Sequence, residues 1–347
     1  MADPRSARQL RKCIPFAASP LYGEAMTQSF DAYVTAALFD ASGQAAFALG
    51  DGSVRFEDGT KVEAHDGAIL SATLHPSGQG VLSGGDDGRL VWSHNHGAQE
   101  IAQVPGRWID AVAASRESKL IAFASGRDLH IRDAADAAFA RTFAHEKSVA
   151  DIAFDPKGRR VAVATYGGAW LWYARIAEQK PAKLAWAGSH VALAWSPDGK
   201  FLISAMQENQ LHGWRVADEK NMRMGGYPAK VKSLAFLAKG SLLVTAGANG
   251  AIVWPFAGST GPMGKQAAEV GFDESALVVR VAGAPTSSWI AAGLDDGRVW
   301  ACDLTGQKVF PLKSEKGPPI SALAITPDAK RVAWGDEDGG AGVAEVG

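Results

Sequence analysis

Cysteine is scarce in this chain of 347 residues, which contains only Cys13 and Cys302. Two cysteines are too few for a disulfide framework and are typical of a reducing compartment, so we expect a cytoplasmic protein. No apolar run approaches the roughly 18 residues that span a bilayer, so the sequence predicts no membrane-spanning helix. The net charge of −2 provides no strong field for nucleic acid or for an anionic membrane. We expect neither as a partner.

Motifs of catalysis are also missing. The chain has no Gly-rich phosphate loop that ends in Lys-Ser or Lys-Thr, no G-x-S-x-G, no H-E-x-x-H and no paired C-x2-C. Acidic pairs such as Asp86-Asp87 precede glycine, and Asp-Gly supplies the positive φ that a tight hairpin needs. We therefore interpret these segments as turns rather than calcium loops. The sequence predicts a protein that is not an enzyme and needs no cofactor.

A repeated pattern of three apolar strands and two turns is present instead, at intervals of about 40 residues. The copies begin at Val34, His65, Ile109, His145, His190, Val231, Ser275 and Ile320. A further short apolar segment, such as Glu100 to Val104, follows the third strand and supplies a fourth. One small antiparallel sheet cannot bury both of its faces alone, so the units are expected to stack radially.

The last copy ends at Gly347 directly after its third strand. We expect Met26 to Ala32 to supply its fourth strand and to close the ring, because the edge would otherwise be unpaired. The predicted fold is all-β: a closed propeller of four-stranded antiparallel blades, with eight blades favoured. A seven-blade alternative leaves one degenerate unit outside the ring, either the first or the Ser275 unit. We predict a flexible tail at residues 1–25 and one propeller domain at 26–347.

The units resemble the WD40-repeat family. Its Ser-Pro-Asp-Gly turn is present at Ser196 to Gly199 and is approximated at Asp155 to Gly158 and at His75 to Gly78. The chain departs from the family at the end of the third strand, where no unit keeps the Trp-Asp dipeptide. The resemblance implies a scaffold that binds a protein or peptide. The Ala-rich composition indicates a bacterial source, and the weakly acidic surface a monomer.

The same resemblance implies a buried hydrogen-bond set of His, Asp, Ser or Thr, and Trp. In the second unit its members are His65, Asp86 or Asp87, Ser71 or Ser83, and Trp92. In the fourth unit only His145 and Trp172 remain as members.

Residues just before each inner strand are predicted to ring the channel mouth, where a partner would bind. These residues are Trp108, Arg107, Lys147, Tyr227 and Lys230. Aromatic residues and Arg are enriched among interface hot spots. Two structural alternatives stay open: Trp108 fills space in a degenerate blade, and Tyr227 replaces a structural His, since it stands where His65 and His145 stand. The three cations indicate an acidic peptide ligand.

Two alternatives to the scaffold follow from other features. His75, His94 and His96 are predicted to share one rim of the second blade, where three imidazoles would suffice for zinc. The competing interpretation is that they are solvated turn residues. A cofactor-binding propeller enzyme is the other alternative. The eight-bladed quinone-dependent dehydrogenases are of that kind, but their repeated Trp motifs and calcium ligands are not found here.

Overall fold

The computed structural model describes residues 26–346, so the tail expected at residues 1–25 lies outside the described residues. This range contains a short 3-10 helix at Ala238–Gly240 and otherwise β-strands joined by turns. The strands are β1 (Met26–Ser29), β2 (Val34–Phe39), β3 (Ala45–Leu49), β4 (Ser53–Phe56), β5 (Lys61–Glu63), β6 (Ile69–Leu74), β7 (Val81–Gly85), β8 (Arg89–His94), β9 (Gly97–Gln103), β10 (Ala111–Ser115), β11 (Leu120–Ser125), β12 (Asp128–Asp133), β13 (Asp136–Ala144), β14 (Asp151–Phe154), β15 (Arg160–Tyr173), β16 (Ala182–Trp195), β17 (Phe201–Met206), β18 (Leu211–Arg215), β19 (Lys220–Met224), β20 (Leu234–Leu237), β21 (Leu242–Thr245), β22 (Ala251–Pro255), β23 (Ala268–Val270), β24 (Val278–Gly283), β25 (Trp289–Leu294), β26 (Val299–Asp303), β27 (Lys308–Lys313), β28 (Ile320–Ile325), β29 (Arg331–Asp336) and β30 (Gly340–Glu345).

The strands form where the sequence has short runs of Ala, Val, Ile and Leu, and they end where Gly, Asp or Pro favours a turn. Within the described range they make seven sheets of a β-propeller. Six sheets have four strands: β2 to β5, β6 to β9, β10 to β13, β20 to β23, β24 to β27, and β28 to β30 with β1. The seventh, β14 to β19, has six strands.

The fourth and fifth sequence units share the six-stranded sheet. Strands β15 and β16 each run for 14 residues, and β16 passes from the fourth unit into the fifth without leaving the sheet. The register shifts between Tyr166 and Gly168 and again between His190 and Ala192. Such irregularities bend a strand. The expectation of eight separate blades is therefore wrong, because an unbroken strand joins two units into one sheet.

The seven-blade alternative gives the observed number of sheets, but its detail is wrong, since it left one degenerate unit outside the ring. The first unit forms the sheet β2 to β5, and the Ser275 unit forms the sheet β24 to β27. Both lie in the ring, where β2 contacts β6 and β24 contacts β28.

The innermost strands contact one another around the axis of the propeller. Their order is β2, β6, β10, β14, β16, β20, β24 and β28, and β28 contacts β2 again. Side chains bridge several of these neighbours: Ser321 Oγ, for example, donates to Val34 O at 2.7 Å. The described residues thus form a closed ring.

The apolar core lies between neighbouring sheets rather than at one centre. One cluster joins the first and last units and includes Val34, Phe47 and Ala333. Another fills the space between the two halves of the six-stranded sheet and includes Leu184 and Trp214. Because burial contributes roughly 25 cal/mol per Å² of apolar surface, contact between neighbours is the main source of stability.

The ring closes through β1, in agreement with the sequence. This strand pairs with β30, with Met26 opposite Val343 and Ser29 opposite Gly340. Phe30, which follows β1, lies with its ring centroid 5.7 Å from that of Phe47 in the first sheet. The segment before the first inner strand therefore connects the first unit to the last.

The antiparallel order of the strands gives the ring two faces. We call the face with the turns after the first and third strands of each unit the lower face. The upper face carries the turns after the second strands and the connections between units. Neighbouring turns touch on the lower face, where Ala41 N–H donates to Gly78 O at 2.8 Å. On the upper face Ile109 N–H donates to Gly85 O at 3.0 Å, so the connection lies across the preceding turn.

Candidate functional site

The indole of Trp108 projects from the upper face and is 64% exposed. The backbone on either side is fixed: Ile109 is fully buried, and Val104 N–H donates to Gly88 O at 2.8 Å. Gly88 has a φ of +77°, and a Cβ at this position would collide with the carbonyl oxygens of Val104 and Arg107. The indole therefore stands in solvent on a fixed support and does not fill interior space.

Two cations lie on the same arc of the upper face. The Arg107 side chain is 56% exposed, and its Nη1 lies 2.9 Å from Asp128 Oδ2. Lys147 is exposed in the next connection, which is held where Val149 N–H donates to Gly126 O at 2.9 Å. An exposed ion pair contributes at most about 1 kcal/mol, so Arg107 remains available to an incoming carboxylate.

Tyr166 was missed in the sequence analysis. It is 66% exposed at the upper-face turn of the fourth unit, inside β15 and opposite Ser189. Other units place a polar residue at this turn, such as Asp51, Asn249 or Asp295. Asp and Asn are favoured at such turns, and the turn does not require an aromatic side chain. The tyrosine at this position was therefore a signal in the sequence that could have identified it as a candidate binding residue.

Lys230 does not project freely into the channel mouth. Its side chain is half-buried, and its Nζ donates to the side-chain oxygen of Gln207. Lys230 is therefore a weaker candidate for partner binding than Lys147.

Tyr227 is a buried residue and not a surface one, which corrects its assignment to partner binding. Its hydroxyl lies 2.7 Å from Thr245 Oγ1, and Trp254 Nε1 donates to it at 2.7 Å. Burial raises the pKa of the phenol despite these two hydrogen bonds. The ring occupies the place of His65 in the second unit and cross-links two strands of its own sheet.

The hydrogen-bond set of the second unit is built on His65. Its Nδ1 lies 3.0 Å from Asp87 Oδ1, and its Nε2 lies 2.9 Å from Ser83 Oγ. Burial opposes ionisation of Asp87, but hydrogen bonds from the Arg89 N–H and from His65 lower its pKa overall. Of the alternatives left open by the sequence, the structure uses Asp87 and Ser83. Ser71 instead accepts a hydrogen bond from Val112 N–H at 3.2 Å on the next inner strand.

Trp92 lies outside this set, which corrects its assignment. Its Nε1 donates to Gln79 O at 2.9 Å, near the lower face. In the fourth unit, by contrast, Trp172 Nε1 donates to His145 Nε2 at 3.2 Å. The two units place equivalent tryptophans differently.

The structure does not support the zinc site predicted from His75, His94 and His96, where the indole of Trp92 packs on two of the imidazoles. Its ring centroid lies 4.0 Å from that of His75 and 4.7 Å from that of His94. His75 Nδ1 is bonded to Ser77 Oγ at 2.9 Å. Burial, aided by the nearby His94, lowers the pKa of His75 to about 4. Among residues 26–346 no group of three His, Cys, Asp or Glu side chains is arranged to hold a metal ion.

Comparison with known proteins identifies the repeat. The family described as "WD domain, G-beta repeat" matches residues 58–92 and 185–215. These two segments are WD40 repeats. The first matched segment contains the His65 set, and the second runs from the six-stranded sheet's β16 to the end of β18. WD40 propellers are in general interaction scaffolds without catalysis of their own.

A distant relative of this chain is mouse "Telomerase protein component 1". The two are 24% identical over 261 residues, which make up 73% of this chain and 10% of the relative. The chain thus spans about a tenth of the length of that protein.

A solved structure with a similar fold is that of the computationally designed Ika8 protein. The TM-score is 0.74 at 17% sequence identity, and the match covers 92% of this chain and 98% of Ika8. The likeness extends over the whole ring and concerns the fold alone. Within the part of the chain that the structure describes, no helix is long and apolar enough to cross a membrane.

Proposed function

We propose that this WD40-repeat protein is a non-enzymatic scaffold that binds a protein or peptide on the upper face of its propeller. The observation that carries the proposal is Trp108, a large aromatic side chain that is 64% exposed on a fixed backbone. The exposed indole keeps apolar surface in contact with water, which is unfavourable. A partner that covers the indole removes this surface from water and gains the free energy of its burial. Trp and Arg are also the residue types that most often dominate binding energy at interfaces.

The proposed binding residues form an arc from the third unit to the fourth. Trp108, Arg107 and Lys147 come from the sequence analysis, and Tyr166 joins them from the structure. Tyr166 is exposed to nearly the same extent as Trp108, at 66%. An arc with two aromatic anchors and two cations fits a peptide that carries both apolar and acidic side chains.

We further propose that the protein acts as a monomer in the cytoplasm. The scarcity of cysteine supports a reducing compartment. Cys302 is buried, and burial raises the pKa of its thiol to about 12, so it is not a reactive group. The bacterial source stays a prediction from composition.

The test is affinity capture from native cytosol with wild type, Trp108→Ala and Met263→Ala, followed by mass spectrometry. Met263 is the matched control, because it is an apolar residue that is 45% exposed after the third strand of its unit, on the lower face. A specific protein that wild type and Met263→Ala retain and Trp108→Ala loses supports the proposal. Retention of the same proteins by all three argues against it.

A further inference from the structure

The lower face of the third and fourth units carries four cations that do not belong to the proposed upper-face site. Arg116 and Lys119 lie in the turn between β10 and β11, and Lys157 and Arg159 lie in the turn between β14 and β15. All four are exposed, and none of them forms an ion pair with another described residue. Three exposed acidic residues in the lower-face turns of the same two units, Glu117, Asp136 and Glu178, also lack an ion pair within residues 26–346.

Equivalent turns of other units do not show this excess of positive charge. In the fifth unit Lys200 Nζ lies 2.9 Å from Asp198 Oδ2, and in the eighth Lys330 Nζ lies 3.8 Å from Asp328 Oδ2. The first and second units place no Lys or Arg in this turn. The sixth unit carries one exposed lysine in this turn, Lys239, so the uncompensated positive charge is greatest in the third and fourth units, which carry four such cations.

A cavity of about 640 Å³ opens between the two turns. Arg116, Glu117 and Lys119 line one side, and Phe154, Asp155 and Pro156 line the other. The Asp155 carboxylate does not cancel the neighbouring charge, because Arg160 Nε already donates to it at 3.1 Å. The cavity thus presents free cations beside an aromatic ring and a proline.

Hydrogen bonds hold the two turns and a neighbouring connection together. Arg175 Nη2 donates to Asp133 Oδ2 at 2.6 Å and to Ser118 O at 3.2 Å, so the fourth unit is tied to the third. Ala174 N–H donates to Arg159 O at 2.9 Å. The cations therefore project from a backbone that is fixed before any partner arrives, which reduces the entropy that binding costs.

Two apolar side chains border the same region. Tyr173 is 52% exposed and Ile176 is 48% exposed, and both belong to the segment that contains Arg175. Exposed large apolar residues beside uncompensated charge are a feature of interaction surfaces.

We propose that this lower basic surface, formed by Arg116, Lys119, Lys157 and Arg159, binds an acidic extended segment of a partner protein. Asp or Glu side chains of the segment pair with the cations, and an apolar side chain packs against Tyr173 or Ile176. Charge complementarity selects the segment, because its carboxylates meet four cations that no described acidic side chain pairs with. This surface lies on the face opposite Trp108, so the proposal goes beyond the upper-face function and does not depend on it.

The test measures binding of a labelled peptide to the full chain by fluorescence anisotropy. The probe has about twelve residues, with pairs of Asp or Glu separated by single Leu, and a second probe has Lys at every acidic position. The acidic probe is expected to bind and the Lys probe to fail. Binding should weaken as salt is added, since exposed charges are screened. The double variant Arg116→Glu/Lys157→Glu is expected to bind the acidic probe roughly tenfold more weakly or worse.

The matched control is Lys220→Glu/Lys330→Glu, which makes the same change in net charge in other units. Both lysines are exposed, and the control is expected to bind like wild type. If both double variants lost the same affinity for the acidic probe, the probe would be attracted by the overall charge of the protein rather than by these four cations. That result would overturn the proposal. Failure of the acidic probe with wild type would also overturn it, as would binding of inorganic phosphate at these residues in its place. Trp108→Ala should bind the acidic probe like wild type if the probe occupies the lower basic surface, whereas loss of the probe in this variant would place it on the upper face and overturn the proposal. The upper-face function is tested separately by capture of its partner.

Discussion

Asp151 lies on the innermost strand β14, where its Oδ2 accepts a hydrogen bond from Leu193 N–H at 2.6 Å. Serines do the same elsewhere: Ser71 accepts from Val112 N–H at 3.2 Å, and Ser233 accepts from Val281 N–H at 3.1 Å. Each bond satisfies a backbone donor on the free edge of the next inner strand. Of these three residues, Asp151 is the ionisable one. Burial raises its pKa to about 7, although the bond from Leu193 N–H opposes the shift.

The variant Asp151→Asn keeps a hydrogen-bond acceptor and removes the ionisation. Because the folded pKa lies above the unfolded one, protonated Asp151 favours the fold at acidic pH, and this contribution is lost as pH rises from about 4 to about 7. Above pH 7 the variant should be more stable than wild type by on the order of 1–3 kcal/mol, and near pH 4 the two should be similar. Urea unfolding at both pH values checks this. A difference in stability that does not change with pH would contradict it.

Tyr227→Phe tests whether the phenol is structural. The change leaves Trp254 Nε1 without its partner and Thr245 Oγ1 with only Ile252 O at 3.3 Å, so we expect a loss of about 1–3 kcal/mol in unfolding free energy. Partner capture should be unaffected once the protein is folded. A variant as stable as wild type that no longer captures its partner would return Tyr227 to the binding surface.

The sequence predicted the place of Tyr227 better than that of Trp92, for a physical reason. The register of the repeat alone aligns Tyr227 with His65. Because that position of the repeat is buried, Tyr227 is expected to be buried as well. The same register gives Trp92 and Trp172 equal distances from their histidines, so spacing could not separate a tryptophan bonded to His145 from one stacked on His75. Side-chain packing at the lower rim decides between them, and the repeat pattern does not contain it.

At the scale of elements, the six-stranded sheet shows what a repeat pattern leaves open. The repeat pattern predicts a fourth strand at the end of the unit that begins at His145 and a separate inner strand at the start of the unit that begins at His190. Between them, Ala187 to Ser189 has the small residues of a turn, yet the chain continues as strand. A short Gly-Ser link is compatible with both conformations. Local sequence therefore predicted the strands but not their fusion.

Within that sheet, the buried pair His190 and His212 predicts sensitivity to acid. Their ring centroids lie 6.3 Å apart, and His212 stacks on Trp186 at 3.9 Å. Burial lowers the pKa of His212 to about 4, although its Nε2 donates to Asn221 Oδ1 at 2.8 Å. The folded pKa lies below the unfolded one, so the neutral ring favours the fold above about pH 6.5, and this contribution is lost as pH falls towards 4.

His212→Phe retains a ring against Trp186 and cannot be protonated. Between pH 7 and pH 5 wild type should lose on the order of 1–2 kcal/mol more unfolding free energy than the variant. Chemical unfolding at several pH values in this interval measures the two slopes. Parallel slopes would show that His212 is not the acid-sensitive group.

The closing strand β1 can be tested by deletion. Removal of residues 1–32 takes β1 and Phe30 and leaves the edge of β30 unpaired, so we expect a clear fall in Tm. Removal of residues 1–23 leaves β1 in place and serves as the control, with a Tm close to that of the full chain. Equal Tm values for the two deletions would contradict the role of β1 in closure.

On the scale of the whole molecule, the ring separates stability from recognition. Apolar clusters between neighbouring sheets hold the units together, and the first unit contacts the last. The faces are therefore free to carry exposed side chains that the fold does not need.

Trp108 on the upper face and the lower basic surface on the other are such features, and both lie on the third and fourth units. The sequence predicted the first because a tryptophan there stands out from the repeat. The sequence did not reveal the lower basic surface, because it does not show which charged side chains of a turn form ion pairs. That depends on three-dimensional geometry.

The central claim is that Trp108 anchors a partner on the upper face. The most direct measurement is a titration of the protein captured from cytosol against purified wild type and Trp108→Ala, with the Tm of both determined in parallel. Because the indole is 64% exposed, we predict an unchanged Tm and a Kd raised roughly 30-fold or more, as expected for a hot spot. An unchanged Kd with an unchanged Tm would contradict the account.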